Sequence, residues 1–140
     1  MVIMAIDIGH VRTGVAVSDK TEFLASPVGT ITERRDERLL EKLAALAAER
    51  KAELLVVGYP RNMDGSCGES AQRCQALAEQ LGAMTGLPVE LWDERLTTVS
   101  AIGYLNQTDT RGQKRKAVVD TVSAVIILED FLRARKNKRS

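Results

Sequence analysis

Three carboxylates of this chain stand where apolar residues dominate. Asp7 closes the run Met1-Val2-Ile3-Met4-Ala5-Ile6, Glu94 follows Val89-Glu90-Leu91-Trp92 within Asp93-Glu94-Arg95, and Asp120 lies inside the apolar stretch 118–128. Burying an unpaired carboxylate is costly, so each residue calls for a compensating partner. If the fold brings all three together, that partner is a divalent cation. Ligands that offer only oxygen select hard ions such as Mg²⁺ or Mn²⁺, and no His/Cys cluster points to zinc. A pair of such ions, typically about 3.5–4 Å apart, lowers the pKa of an attacking water and stabilises the leaving oxygen of an in-line displacement. The chemistry expected is metal-dependent phosphoryl transfer, that of a nuclease. Each acid also has a plainer reading. Asp7 suits a turn before Gly9, Glu94 a solvated charged turn, and Asp120 a helix cap or a partner for Lys116.

The elements that must position these residues follow from hydrophobic periodicity. Residues 2–8 read as a buried strand ending at Gly9, residues 14–18 as a second and residues 25–31 as a third. The short links between them favour an antiparallel meander. A helix is expected from residue 32 to about 50, with Leu39, Leu40, Leu43, Leu46 and Ala47 as its apolar stripe. An apolar strand at 53–58 precedes a turn-rich loop at 59–66. A second helix runs from about 69 to 84, with Ala71, Cys74, Leu77, Ala78 and Leu81 facing inward, and Gly86 and Pro88 stop it. Residues 88–92 form a short strand, whose alternation puts Trp92 and Glu94 on one side and Asp93 on the other. Helices are expected at 96–105 and 117–135, the last apolar nearly all round at its start. Around Asp120 its helical neighbours Lys116, Ala117, Ser123 and Ala124 are small or polar, which leaves room for a site. The order βββ-α-β-α-β-α-α predicts an α/β domain: a five-stranded mixed sheet flanked by helices.

With 140 residues and 44% hydrophobic content, one folded domain over 1–140 is expected. No apolar run approaches the roughly 20 residues of a membrane span, and the amino terminus lacks the features of a signal peptide. A cytoplasmic protein without membrane contact is expected. Cys67 and Cys74 have neither the number nor the spacing for a disulfide framework or a metal motif. The net charge of +1 conceals a division: residues 1–110 carry 11 basic and 16 acidic side chains, and residues 111–140 carry 9 basic and 3 acidic. This asymmetry is a mark of nucleic-acid contact. The basic segment divides into a loop at about 107–116, containing Arg111, Lys114, Arg115 and Lys116, and a tail at about 133–140. Together with Arg12, Arg61 and Arg95 they are candidate phosphate contacts, each of which also reads as an ordinary surface charge. Binding through them would be salt-dependent and blind to sequence. Aromatic residues make up 4%, too few for a stacking platform, although Tyr59, Trp92 and Tyr104 each suffice for one base. His10, the sole histidine, is a candidate substrate contact or proton shuttle, and equally an incidental loop residue.

The motifs are similar to those of one family. Asp7-Ile8-Gly9, Arg12, Gly14-Val15-Ala16 and Ser18-Asp19 resemble the first motif of the YqgF (RuvX-type) family. Residues 57–65, from Val57-Gly58-Tyr59-Pro60 to Asp64-Gly65, resemble its second. Asp93-Glu94-Arg95-Leu96-Thr97-Thr98 resembles its third, and Asp120-Thr121-Val122-Ser123-Ala124 with Ile127-Leu128 its last. The motifs occur in order along nearly the whole chain. The resemblance implies an RNase H-like fold, and a nuclease related to Holliday-junction resolvases with a role in maturing the 5′ end of pre-16S rRNA. It places the family's acids on Asp7, Glu94 and Asp120. His10-Val11-Arg12-Thr13 departs from the usual Thr-Lys-Arg-Ile, and Tyr59 from a usual Leu. The lost lysine implies weaker phosphate contact near Asp7.

The leading expectation is therefore a Mg²⁺- or Mn²⁺-dependent endonuclease, binding two ions and acting on structured RNA, with ribosomal precursor particles as a candidate partner, or alternatively on branched DNA. A monomer is favoured, because no long apolar face is evident, whereas junction resolvases act as dimers. Two readings of other classes remain. The Asp7-x-Gly segment with Gly14 also resembles the phosphate loop of actin-like ATPases, which would make the chain an ATP-binding module. The basic carboxy-terminal segment alone would suffice for a non-catalytic RNA-binding assembly factor.

Overall fold

The computed structural model describes residues 1–9, 11–59, 68–93 and 112–139, with the backbone alone for 112–121 and 138–139. Its elements are β1 (Ile3–Ile8), β2 (Arg12–Ser18), β3 (Ala25–Thr32), α1 (Asp36–Glu49), β4 (Leu54–Tyr59), α2 (Glu69–Thr85), β5 (Val89–Asp93) and α3 (Gly112–Arg139). The strands form one sheet in the order β3-β2-β1-β4-β5. β1, β2 and β3 are the expected antiparallel meander, and β4 and β5 join β1 in parallel. The carboxyl ends of β1, β4 and β5 therefore share one edge of the sheet, the usual place for ligand sites in open α/β sheets.

Two cores lie on opposite faces, sorted by strand alternation. Met4 and Ile6 of β1 and Leu55 and Val57 of β4 pack under α1 and α2, against Leu39, Leu43, Cys74, Leu77 and Leu81. Ile3, Ala5, Ala16, Leu54 and Val56 pack under α3, against Ala124, Ile127, Leu128, Phe131 and Leu132. The inward residues expected for α2 are all buried. Gly86 ends that helix with φ of 70°, a conformation that glycine adopts without strain.

Three expectations need correction. α1 begins at Asp36, not 32. Thr32 still pairs with Arg12, and the Glu33 N–H donates to the Val11 carbonyl (2.8 Å), which prolongs the sheet. α3 begins at Gly112 and reaches Arg139, whereas the sequence pattern predicts 117–135. Positions 112–116 of the basic loop and most of the tail are thus helical. Lys, Arg and Gln are good helix formers, and their charge masks that propensity in a reading by hydrophobic period. Nor is the start of α3, apolar nearly all round, mostly buried as that pattern predicts: Val122 is 41% exposed, opposite the buried stripe. The expected helix at 96–105 lies outside the described residues.

Candidate active site

Asp7 is the last but one residue of β1 and is half-buried. By alternation it follows Ile3 and Ala5 onto the α3 face. Its partner across β2 is Gly14. On the other side, one step beyond the Ile6–Val57 pair, comes Gly58, the partner of Trp92 on β5. Gly58 follows Leu54 and Val56 onto the same face. Both strands that flank Asp7 therefore present a residue without a side chain beside it. Adjacent strands lie about 4.8 Å apart, so on this face the sheet leaves a bay free of neighbouring side chains around the carboxylate, and both glycines are themselves buried. Trp92 borders the bay two strands from Asp7. Its ring meets Phe131 of α3 edge-on, with centroids 5.9 Å apart, and its buried indole Nε1 has no hydrogen-bond partner among the described residues.

The β1–β2 turn is tight. A Cβ added at Gly9 would lie 2.3 Å from the Arg12 carbonyl oxygen, closer than any side chain tolerates. The turn is also held from outside. The Arg73 guanidinium on α2 donates from Nη1 to the Gly9 carbonyl oxygen (2.9 Å). From Nη2 and Nε it donates to Asp36 Oδ1 at the start of α1 (2.7 and 3.2 Å). Sequence reasoning missed Arg73, because it reads as one charged residue beside the apolar stripe of α2.

The expected site residues divide by what the structure describes. Asp7 is placed as above. Arg12 opens β2 on the Asp7 face, half-exposed. Position 120 lies on α3 one turn before Ala124, which belongs to the core shared with Ala5. It is fifteen residues, about 22 Å along the helix axis, before Arg135, which is fixed to Glu22 (2.8 Å) at the opposite end of the sheet. Lys114, Arg115 and Lys116 fall in the first turns of α3. Glu94, Arg61, Arg95, Arg111 and His10 lie outside the described residues. Among the described residues no three His, Cys, Asp or Glu side chains gather to hold a metal, and the side chains of Glu94 and Asp120 are not among them. An oxygen ligand beside two glycines is nonetheless a donor that fits a hard cation.

A mixed sheet in this order, with an acid closing the central strand and a carboxy-terminal helix across that face, is an RNase H-like α/β fold of the kind found in junction-resolving nucleases. Over 97% of this chain it superposes on Thermus thermophilus RuvC in complex with a Holliday junction substrate, covering 96% of that protein with a TM-score of 0.60 at 14% identity. A fowlpox virus resolvase bound to Holliday junction DNA matches over 96% of this chain and 98% of its own, with a TM-score of 0.57 at 8% identity. The family model described as "RuvX: Holliday junction resolvase" matches residues 1–134, and the chain belongs to that family. Relatives are named "Putative pre-16S rRNA nuclease". That of Lachnospira eligens is 40% identical over 97% of this chain and 99% of its own length. That of Chloroflexus aggregans is 41% identical over 96% and 95%, and that of Mycobacterium tuberculosis 45% over 92% and 76%. The chain is thus a nuclease, a hydrolase of phosphodiester bonds. Among the described residues no helix is long and apolar enough to cross a membrane.

Proposed function

We propose that this nuclease is a cytoplasmic, divalent-metal-dependent endonuclease that acts in 5′-end processing of pre-16S rRNA, with Asp7, Glu94 and Asp120 holding Mg²⁺ or Mn²⁺. The observation that carries the proposal is the bay around Asp7: a carboxylate at the carboxyl edge of the central strand, flanked by Gly14 and Gly58. A bulky residue at either position would fill the space that an ion and a phosphate need. The ions would supply an activated water and charge neutralisation at phosphorus. The chain's own residues do the rest. Asp7, Glu94 and Asp120 would fix ligand geometry, Trp92 borders the site, and Arg12 contacts phosphate on the Asp7 face. Arg61, Arg95, Arg111, Lys114, Arg115 and Lys116 hold the backbone of the nucleic acid, within precursor particles, through salt-dependent contacts.

Ribosomal precursor RNA is preferred as substrate because relatives 40–45% identical bear that name. A second reading, branched DNA, is favoured by the family's description. One panel decides between them: a precursor RNA, a single-stranded RNA and a synthetic four-way DNA junction, each with Mg²⁺ or Mn²⁺, for wild type and Asp7→Asn. The expected result is metal-dependent cleavage of the precursor that falls more than about 100-fold in Asp7→Asn, the upper effect of losing a partner one shell further out. The variant's circular dichroism should stay unchanged. Cleavage of the junction alone would transfer the proposal to DNA, and full activity in Asp7→Asn would remove Asp7 from the site.

A further inference from the structure

We infer that Arg73 is a positioning residue for the active site: its guanidinium fixes the β1–β2 turn, and with it the pose of the Asp7 carboxylate. The inference rests on the reading of Asp7 as a metal ligand. Arg73 joins three segments that are distant in sequence. It donates to the Gly9 carbonyl, two residues after Asp7 (2.9 Å), and to Asp36 at the head of α1 (2.7 Å), while being anchored on α2 beside the buried Cys74. An Arg guanidinium keeps a rigid plane of donors, so its hold on Asp36 dictates where the Gly9 carbonyl can sit. Gly9 has little room to shift toward Arg12, because even a Cβ placed on it would lie 2.3 Å from the Arg12 carbonyl oxygen.

The rival role for Arg73 is direct contact with substrate phosphate. The cavity in front of it, about 570 Å³, is lined by Arg34, Arg35, Asp36, Glu37 and Arg73. Three guanidiniums outnumber the two carboxylates in that lining, but Arg73 already spends three of its N–H groups on protein acceptors and has little left to offer a phosphate. Its side chain is 23% exposed and that of Asp36 44%, so water reaches the pair and truncating Arg73 leaves no charge unpaired in a dry interior.

The test compares wild type, Arg73→Ala, Arg73→Lys and Asp36→Asn in three measurements: amide hydrogen exchange of residues 8–13, Mn²⁺ binding by titration calorimetry, and steady-state cleavage. Arg73→Ala is expected to speed exchange across the turn at least about tenfold over the rest of the sheet. It should weaken Mn²⁺ binding by about 10–100-fold, the usual effect of losing a group that orients a metal ligand. The KM for nucleic acid and the salt dependence of binding should not move. Arg73→Lys and Asp36→Asn should fall between, because each retains part of the clamp. Unchanged exchange across the turn overturns the clamp itself. A raised KM with a shallower salt slope and unchanged Mn²⁺ affinity assigns Arg73 to phosphate and overturns the inference. A wild-type protein that binds no Mn²⁺ overturns the reading of Asp7, and this inference with it, whatever the turn does.

Discussion

The two turns of the β1–β2–β3 meander are held by different means. The β2–β3 turn is closed by its own residues around Asp19, and distant groups only tether it, through Glu22 to Arg135 (2.8 Å) and to the terminal ammonium (3.2 Å). Asp19 Oδ1 accepts the N–H groups of Phe23 (2.8 Å) and Leu24 (3.1 Å), the Thr21 hydroxyl donates to its other oxygen, and the Glu22 N–H donates to the Asp19 carbonyl (3.1 Å). Every one of these partners of Asp19 lies within five residues of it. The β1–β2 turn, beside Asp7, takes its outside support from Arg73, 64 residues away. A turn built from local bonds forms wherever its residues occur. A turn closed by a distant guanidinium forms only once α1 and α2 have packed. The turn beside the candidate site is therefore shaped by a distant side chain bonded to its backbone, whereas the opposite turn is shaped locally and reached by distant groups only at its Glu22 side chain and Lys20 carbonyl.

The contrast is broken most severely at Gly9. In Gly9→Ala the new Cβ must retreat about 1 Å from the Arg12 carbonyl, and a misplacement of that order near reacting groups costs about 10²-fold in rate. Overpacking of this kind also destabilises by about 1–3 kcal/mol. Cleavage assays and urea unfolding should register both losses together. A smaller effect is expected at the other end from Glu22→Gln. Glu22 bonds Arg135 Nε (2.8 Å) and the terminal ammonium (3.2 Å). Burial pushes its carboxyl up, but these two cations outweigh burial and hold it below the ordinary glutamate range. Stability should fall by an amount between about 1 kcal/mol, the ceiling for an exposed pair, and about 3 kcal/mol, the ceiling for a hydrogen bond to a charged group. Cleavage per folded molecule should be unchanged. If kcat falls as well, the two ends are coupled and the contrast is wrong.

The smallest effect is expected from Asp19→Asn. The Thr21 hydroxyl, then the Leu24 and Phe23 N–H groups, hold the Asp19 carboxyl below its ordinary value. A depressed carboxylate stabilises the fold above the unfolded pKa, and the contribution disappears as pH falls through the lower, folded value. The variant should therefore flatten the acid limb of the stability curve, measured by thermal unfolding between neutral pH and about pH 3, and leave catalysis untouched.

The same division decides what was legible in the sequence. The strands were, because runs such as Ile3–Ile8 and Leu54–Tyr59 are apolar and short. The α2 stripe was, because five residues at helical spacing all turn inward. Asp7 was legible as an acid closing an apolar run. The Arg73–Asp36–Gly9 contact was not: no local pattern joins positions 9, 36 and 73, and only packing brings them together. The starts of α1 and α3 were misjudged for opposite reasons. At α1 a sheet contact, Thr32 with Arg12, overrode the local helical pattern. At α3 a run of good helix formers looked like loop because it is charged. The full set of carboxylates read from the sequence exceeds what is placed, since Glu94 lies outside the described residues and Asp120 is fixed only in its helical position.

Trp92 has a practical consequence. It is the chain's sole tryptophan, it borders the bay beside Asp7, and its ring rests against Phe131. Light emitted by the indole on ultraviolet excitation thus originates from one spot at the edge of the site. Nature has already installed the probe with which arrival of an ion or an oligonucleotide can be followed optically, with no dye attached.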